Sequence, residues 1–257
     1  MSSPYIIRIA SQKGGVGKTT IAVNLATSLT LMGHKVLLIE PDFVNPSVGI
    51  HLGIDEVNIG FKSVVFSKAN FKSAVVVHNP SGLHVLPGEI TAKSYEPKIG
   101  QLRRLGEELK RSSYEFIIVD TPPGFVPGDV LTSYDEAIIM ATPEMSACTS
   151  AVRLAHTFNK YKLKHNLAVN MIRNKRYELH IDEIEEMYEQ PVIAALPEDE
   201  VVPMSVADHT PAVMYSKRAP FSREISRLAR KYAARSAAVG EAGRSGFWQR
   251  FLGFFGR

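Results

Sequence analysis

One short stretch constrains this chain more than any other. Lys13-Gly14-Gly15-Val16-Gly17-Lys18-Thr19-Thr20 follows a β-rich run, YIIRIA (5–10), and opens a run with helical spacing through Ile21, Ala22, Leu25, Leu29 and Met32. Between a strand and a helix, such a loop curls so that successive backbone N–H groups converge on one anion. The helix N-terminus adds its partial positive charge. Gly14, Gly15, Val16, Gly17, Lys18, Thr19 and Thr20 are therefore candidate phosphate contacts. The Lys18 ammonium is placed to reach terminal phosphates, and the Thr19 hydroxyl to ligate Mg2+.

The rest of the chain suits that unit. VLLIE (36–40), FIIVD (116–120), AIIMA (137–141), NLAVNMI (166–172) and PVIAAL (191–196) are continuous apolar runs, as strands covered on both faces show. Helical stretches lie between them at about 97–112, 146–160, 180–190 and 218–235. Strands alternating with helices predict an α/β fold with a mostly parallel sheet and helices on both faces. The lone cysteine, Cys148, excludes an internal disulfide and any cysteine-based metal or cluster site. MSSPYIIRIA has no basic region ahead of its apolar run, and no apolar run approaches the ~20 residues of a membrane span, so a cytoplasmic protein is expected.

Composition shifts near residue 235. RSAAVGEAGRSG (235–246) is small and polar and reads as a flexible linker. GFWQRFLGFFGR (246–257) then carries six large apolar side chains, with Phe247, Trp248, Phe251, Leu252 and Phe255 on one helical face. An amphipathic segment of this kind reads as an interfacial helix on an anionic membrane. Its other reading is a terminal helix docked on the domain's own core. The expected division is a phosphate-loop domain at 1–235, a linker at 236–246 and a membrane-targeting helix at 247–257.

The phosphate loop departs from the common GxxxxGK[ST] pattern: Gln12 stands where glycine is required, and a second lysine, Lys13, follows. In this form, KGGVGKT, the loop resembles that of the MinD/ParA superfamily of ATPases. The resemblance spans residues 5–235 and the tail, and implies a P-loop NTPase fold with ATP and Mg2+ as ligands. It implies that Lys13 acts in trans across an ATP-held homodimer. EPDFVNPS (40–47) is similar to the family's first switch, which places Asp42 as the carboxylate orienting the attacking water near Mg2+. There Glu40 replaces the usual Asp, a longer side chain beside the surroundings of Mg2+. FIIVDTPPGF (116–125) resembles its second switch, with Asp120 toward Mg2+ and Thr121-Pro122-Pro123-Gly124 sensing the γ-phosphate. Asn170, Pro197 and Glu198 match positions that flank adenine.

The tail and ATPEMSACTSAVRL (141–154) draw the resemblance toward the MinD branch and its relative FlhG. That branch implies a spatial-regulator ATPase, slow alone, on the cytoplasmic face of the membrane and released by an activating protein partner. A ParA-like ATPase coating nucleic acid is the alternative. The net charge of +4 suits it, yet basic residues such as Arg103, Arg104, Lys217 and Arg218 read as scattered pairs. An iron–sulfur carrier on this fold needs more cysteines, and a small-molecule ligase leaves the tail unexplained.

Overall fold

In a computed structural model of the chain, the apolar runs assemble into one sheet. The structure describes residues 3–42, 44–54, 57–67, 69–89, 99–124 and 134–241. The strands are β1 (Tyr5–Ala10), β2 (Val36–Ile39), β3 (Val76–His78), β4 (Leu83–Leu86), β5 (Phe116–Asp120), β6 (Glu136–Ala141), β7 (His165–Ile172) and β8 (Ala194–Pro197). Among the described residues they form an eight-stranded sheet in the order β3-β4-β2-β5-β1-β6-β7-β8. All neighbours are parallel except β3 and β4.

The helices are α1 (Lys18–Leu31), α2 (Val48–Leu52), α3 (Phe61–Phe66), α4 (Phe71–Ala74), α5 (Ile99–Lys110), α6 (Met145–Lys160), α7 (Ile181–Tyr188), α8 (Val201–Ala207), α9 (Ala212–Tyr215) and α10 (Pro220–Glu241). Side chains alternate across each strand, so the sheet feeds two cores. Tyr5, Ile7 and Ile9 of β1 pack with Leu25 and Leu29 of α1 and Ile225 and Leu228 of α10. Ile6 and Ala10 face the other way, toward Leu105 of α5, Leu154 and Phe158 of α6 and Ile184 of α7. This double cover is why the central strands read as unbroken apolar runs.

The short helices α2, α3, α4, α8 and α9, the hairpin β3–β4 and the end of the last helix differ from the sequence reading. The hairpin β3–β4 lies in a stretch without a strand assignment, although Asn79-Pro80-Ser81-Gly82 supplies its turn and Gly82 sits at φ +72°. The last helix also continues past residue 235 to Glu241, into the segment read as a flexible linker. Ser236-Ala237-Ala238-Val239 has the propensity to extend an existing helix, alanine being the strongest helix former. Residues 242–257, with Phe247, Trp248, Phe251, Leu252 and Phe255, lie outside the described residues. Among the described residues, no helix is long and apolar enough to cross a membrane.

Candidate nucleotide site

The carboxyl ends of β1, β2, β5 and β7 meet at one edge of the sheet, where ligands of open α/β sheets bind. There the chain leaves β1 at Ser11, turns through Gly15 (φ +75°) and Gly17 (φ +86°), and enters α1 at Lys18. Among the described residues no side chain caps α1, and no acid stands in its first turn. A Cβ on Gly14 or Gly15 would meet nothing within 4 Å among the described residues beyond the adjoining loop residues, so the loop is an open cradle. An uncapped helix start behind such a cradle suits an anion.

Glycine is required at position 17 for a second reason. Asn170, at the end of β7, is 4% exposed, and its Nδ2 donates to the Val16 carbonyl at 3.0 Å. A Cβ on Gly17 would stand 2.3 Å from that nitrogen. Asn170 thus holds the loop from below, a contact that its expected place near adenine does not foretell.

Lys18 is buried, and its Nζ donates to Ser11 Oγ at 3.0 Å, while Ser11 Oγ donates to the Lys13 carbonyl at 2.6 Å. Burial lowers the Lys18 pKa, opposed by the charges of Asp120 and Asp42. Next to it, Thr19 Oγ1 donates to Asp120 Oδ2 at 2.6 Å and lies 2.8 Å from Ser47 Oγ. Asp120 is 4% exposed, and its Oδ1 is buried with no hydrogen-bond partner among the described residues. Burial, with Glu40 and Asp42 adding, pushes its carboxyl up to about 7 against the Thr19 bond and Lys18. Two hydroxyls and a half-satisfied carboxylate form an all-oxygen donor set that suits a hard cation such as Mg2+.

The first switch is tied down by Glu40, which is 1% exposed at the end of β2. Its Oε1 accepts the amides of Ser47 and Val48, the latter at 2.9 Å, and its Oε2 accepts the Gly88 amide at 3.1 Å. Those three amides account for the longer side chain: Glu40 reaches the start of α2 and the end of β4, and acts on Thr19 through Ser47. Burial raises its pKa, and the three amides oppose the rise. Asp42 is half-buried, and its Oδ1 accepts the Val44 and Asn45 amides, both at 2.8 Å. It bends its own loop and makes no hydrogen bond to Thr19 or Asp120 among those described.

The second switch begins against the same loop: Thr121 Oγ1 donates to the Ile9 carbonyl at 2.7 Å, and the Gly124 amide to the Ser11 carbonyl at 2.9 Å. Lys13 points away from the cradle, its Nζ donating to Ser146 Oγ in the first turn of α6 at 2.6 Å. Pro197 ends β8 and Glu198 follows it, beside a bulge in β7 where Met171 takes φ +59°. The Glu198 amide donates to the Ile172 carbonyl, and Arg173 Nε donates to Glu198 Oε2 at 2.7 Å. Sequence reasoning missed Ser11, Ser47 and Arg173 as members of this site; Ser47 closes the EPDFVNPS motif it had isolated.

Comparison with known proteins bears on this geometry. The AAA domain family matches residues 5–171. An uncharacterised ATP-binding protein of Methanocaldococcus jannaschii is 30% identical over 98% of this chain and 97% of its own length. The septum site-determining protein MinD of Synechocystis is 30% identical over 88% of each chain. The solved structure of MinD from Pyrococcus horikoshii with Mg-ADP is 27% identical, covers 89% of this chain and 96% of that one, and superposes with a TM-score of 0.80. MinD in the MinC:MinD complex of Aquifex aeolicus is also 27% identical, with coverages of 90% and 96% and a TM-score of 0.79.

Proposed function

Because this chain belongs to the MinD/ParA family of P-loop ATPases, we propose that it hydrolyses ATP slowly as an ATP-held homodimer and rests on an anionic membrane through residues 247–257. ATP and Mg2+ are the ligands of its site. On this reading it positions a division site or another large structure on the cytoplasmic face of the membrane, and a protein partner accelerates its turnover. The likeness to MinD chains, one of them complexed with MinC, supports that role.

One observation carries the hydrolytic reading: Thr19 and Asp120 share a hydrogen bond beside Lys18, and the second Asp120 oxygen is buried and unpartnered among the described residues. Thr19 and Asp120 would hold Mg2+, which would supply neutralisation of the charge on the phosphate oxygens. Lys18 and the amides of Gly14–Thr20 bind the phosphates, and Asp42 orients the attacking water. Lys13 leaves Ser146 to meet the phosphates of the partner protomer. Asn170, Pro197 and Glu198 flank the adenine at the ends of β7 and β8.

Vesicle co-sedimentation of the full chain and of Phe251→Glu, each with ADP and with ATP, tests the reading. The full chain should pellet on anionic vesicles mainly with ATP, and Phe251→Glu should stay in solution while still binding ATP. Lys13→Ala should bind ATP yet neither dimerise nor pellet. Membrane binding that ignores the nucleotide would sink the proposal.

A further inference from the structure

The charge of the chain is unevenly divided. Residues 217–257 hold ten of the thirty Lys and Arg residues but two of the twenty-six Asp and Glu residues, so they carry +8 while residues 1–216 carry −4. An imbalance of that size between parts of a chain marks a segment that faces an anionic partner. Helix α10 turns the excess into a surface. Its apolar side chains Phe221, Ile225, Leu228, Ala229 and Tyr232 are buried in the core, which fixes the rotation of the helix. Arg223, Arg227 and Arg230, at i, i+4 and i+7, are then exposed on the opposite face. Lys217 and Arg218 are exposed in the turn just ahead of the helix and add to its charge. Lys231 is not part of it, since its Nζ donates to the Ile193 carbonyl at 2.8 Å. Glu224 is the one acid between residues 217 and 240, and it pairs with Arg227 at 2.7 Å. What the sequence presents as scattered pairs, the helix gathers into a ridge.

We propose that this ridge, formed by Lys217, Arg218, Arg223, Arg227 and Arg230, docks on an anionic lipid bilayer. Helix α10 then lies along the headgroups, and the apolar segment that follows it in the chain enters the same surface. The inference rests on reading 247–257 as a membrane segment, and it names the part of the folded domain that touches the bilayer. Continuity in the chain with that segment favours lipid over nucleic acid: the exposed charges of residues 217–230 and the apolar side chains of residues 247–257 belong to one C-terminal stretch. Exposed Tyr215, just ahead of Lys217, adds an aromatic side chain of the kind that settles at headgroup depth. A short apolar segment alone binds weakly, and a polybasic surface is the second signal that makes such an anchor hold.

The test uses the full chain with ATP on vesicles of phosphatidylcholine, with and without phosphatidylglycerol. Three variants are compared with the parent: a ridge variant (Arg223→Gln, Arg227→Gln, Arg230→Gln), a charge-matched control on other faces (Arg111→Gln, Arg153→Gln, Lys160→Gln) and Phe251→Glu. Unchanged ATP binding shows that each has folded. At low salt the ridge variant should bind the anionic vesicles about a hundredfold more weakly than the parent, roughly fivefold per arginine, and the control within about twofold of it. The difference should vanish on neutral vesicles and near ~1 M salt. Equal binding of the ridge and control variants to anionic vesicles overturns the proposal. So does a ridge variant that loses retention of duplex DNA while keeping its vesicle binding, which would make the ridge a nucleic-acid surface. Should Phe251→Glu bind as the parent does while the ridge variant fails, the ridge stands and the reading of the tail falls.

Discussion

Two carboxylates lie buried at opposite ends of the central sheet, and the fold treats them in opposite ways. Glu136, at the first residue of β6, is 0% exposed and fully engaged. Tyr5 Oη and Lys164 Nζ reach its Oε2, each at 2.9 Å, and Tyr232 Oη reaches its Oε1 at 2.8 Å, beside the Asn166 amide. Asp120, at the last residue of β5, takes one bond from Thr19 and leaves Oδ1 without a partner among the described residues. A buried charge is tolerated where donors surround it and costly where they do not. The satisfied carboxylate therefore ties β1, β7 and α10 together, and the unsatisfied one marks where a cation belongs.

The largest effect should come from the satisfied end. Glu136→Ala strands two tyrosine hydroxyls and the Asn166 amide in the interior, a loss of about 4 kcal/mol. The melting temperature should then fall by ~10 °C. Mg-ATP affinity, measured well below the new melting point, should stay within about twofold of the parent. A matching loss of affinity would show that the two ends are not separable and would break the comparison.

Asp120→Asn should move stability the other way. The Asp120 carboxyl sits at about 7 in the fold, against an ordinary value of 3.8. A raised carboxyl favours the protonated folded chain, so its contribution is fully favourable below pH ~4 and fades as pH rises through 7. The ligand-free protein should therefore melt higher as pH falls from 8 toward 5. The Asn variant should lose that slope and gain about 2 kcal/mol at pH 8, because it no longer holds an unpartnered buried charge. It should also lose the increment that Mg2+ adds to nucleotide affinity. An unchanged pH slope in the variant would assign the titration to another group.

How much of this was legible in the sequence follows from how far apart the contacting residues lie. The phosphate loop was readable because its glycines, Lys18 and Thr19 are contiguous, and six of the eight strands because double burial leaves them mostly apolar. Asp120 was readable as the polar end of such a run. The partnerships were not: Asn170 meets Val16 across 154 residues and Tyr5 meets Glu136 across 131, and neither pair carries a local pattern. The ridge of α10 needed the helix phase, which buried Ile225 and Tyr232 fix and charge counting along the chain does not. The extended end of α10 escaped because alanine-rich segments suit a linker and a helix equally well.

Glu40 lies between the two cases and offers the finest test. It sits at the nucleotide end like Asp120, yet its carboxylate is satisfied like that of Glu136, by the backbone amides of Ser47, Val48 and Gly88. The fold leaves little room beside it: a Cβ on Gly88 would stand 2.8 Å from the Asp42 carbonyl and 3.2 Å from Glu40 Oε2. Glu40→Asp keeps the charge but shortens the reach by one methylene, so the side chain cannot serve α2 and Gly88 together. Losing one charged-acceptor bond of the three should lower stability by about 1 kcal/mol. Because Ser47 and the loop that carries Asp42 are released while the Gly14–Thr20 cradle is untouched, ATP affinity should hold within about threefold. Turnover should fall several-fold more than affinity does, the pattern of an interaction felt mainly in the transition state. Equal losses in kcat and in ATP affinity would instead make Glu40 a binding residue, and no loss in either would make its three hydrogen bonds merely structural, as those of Glu136 are.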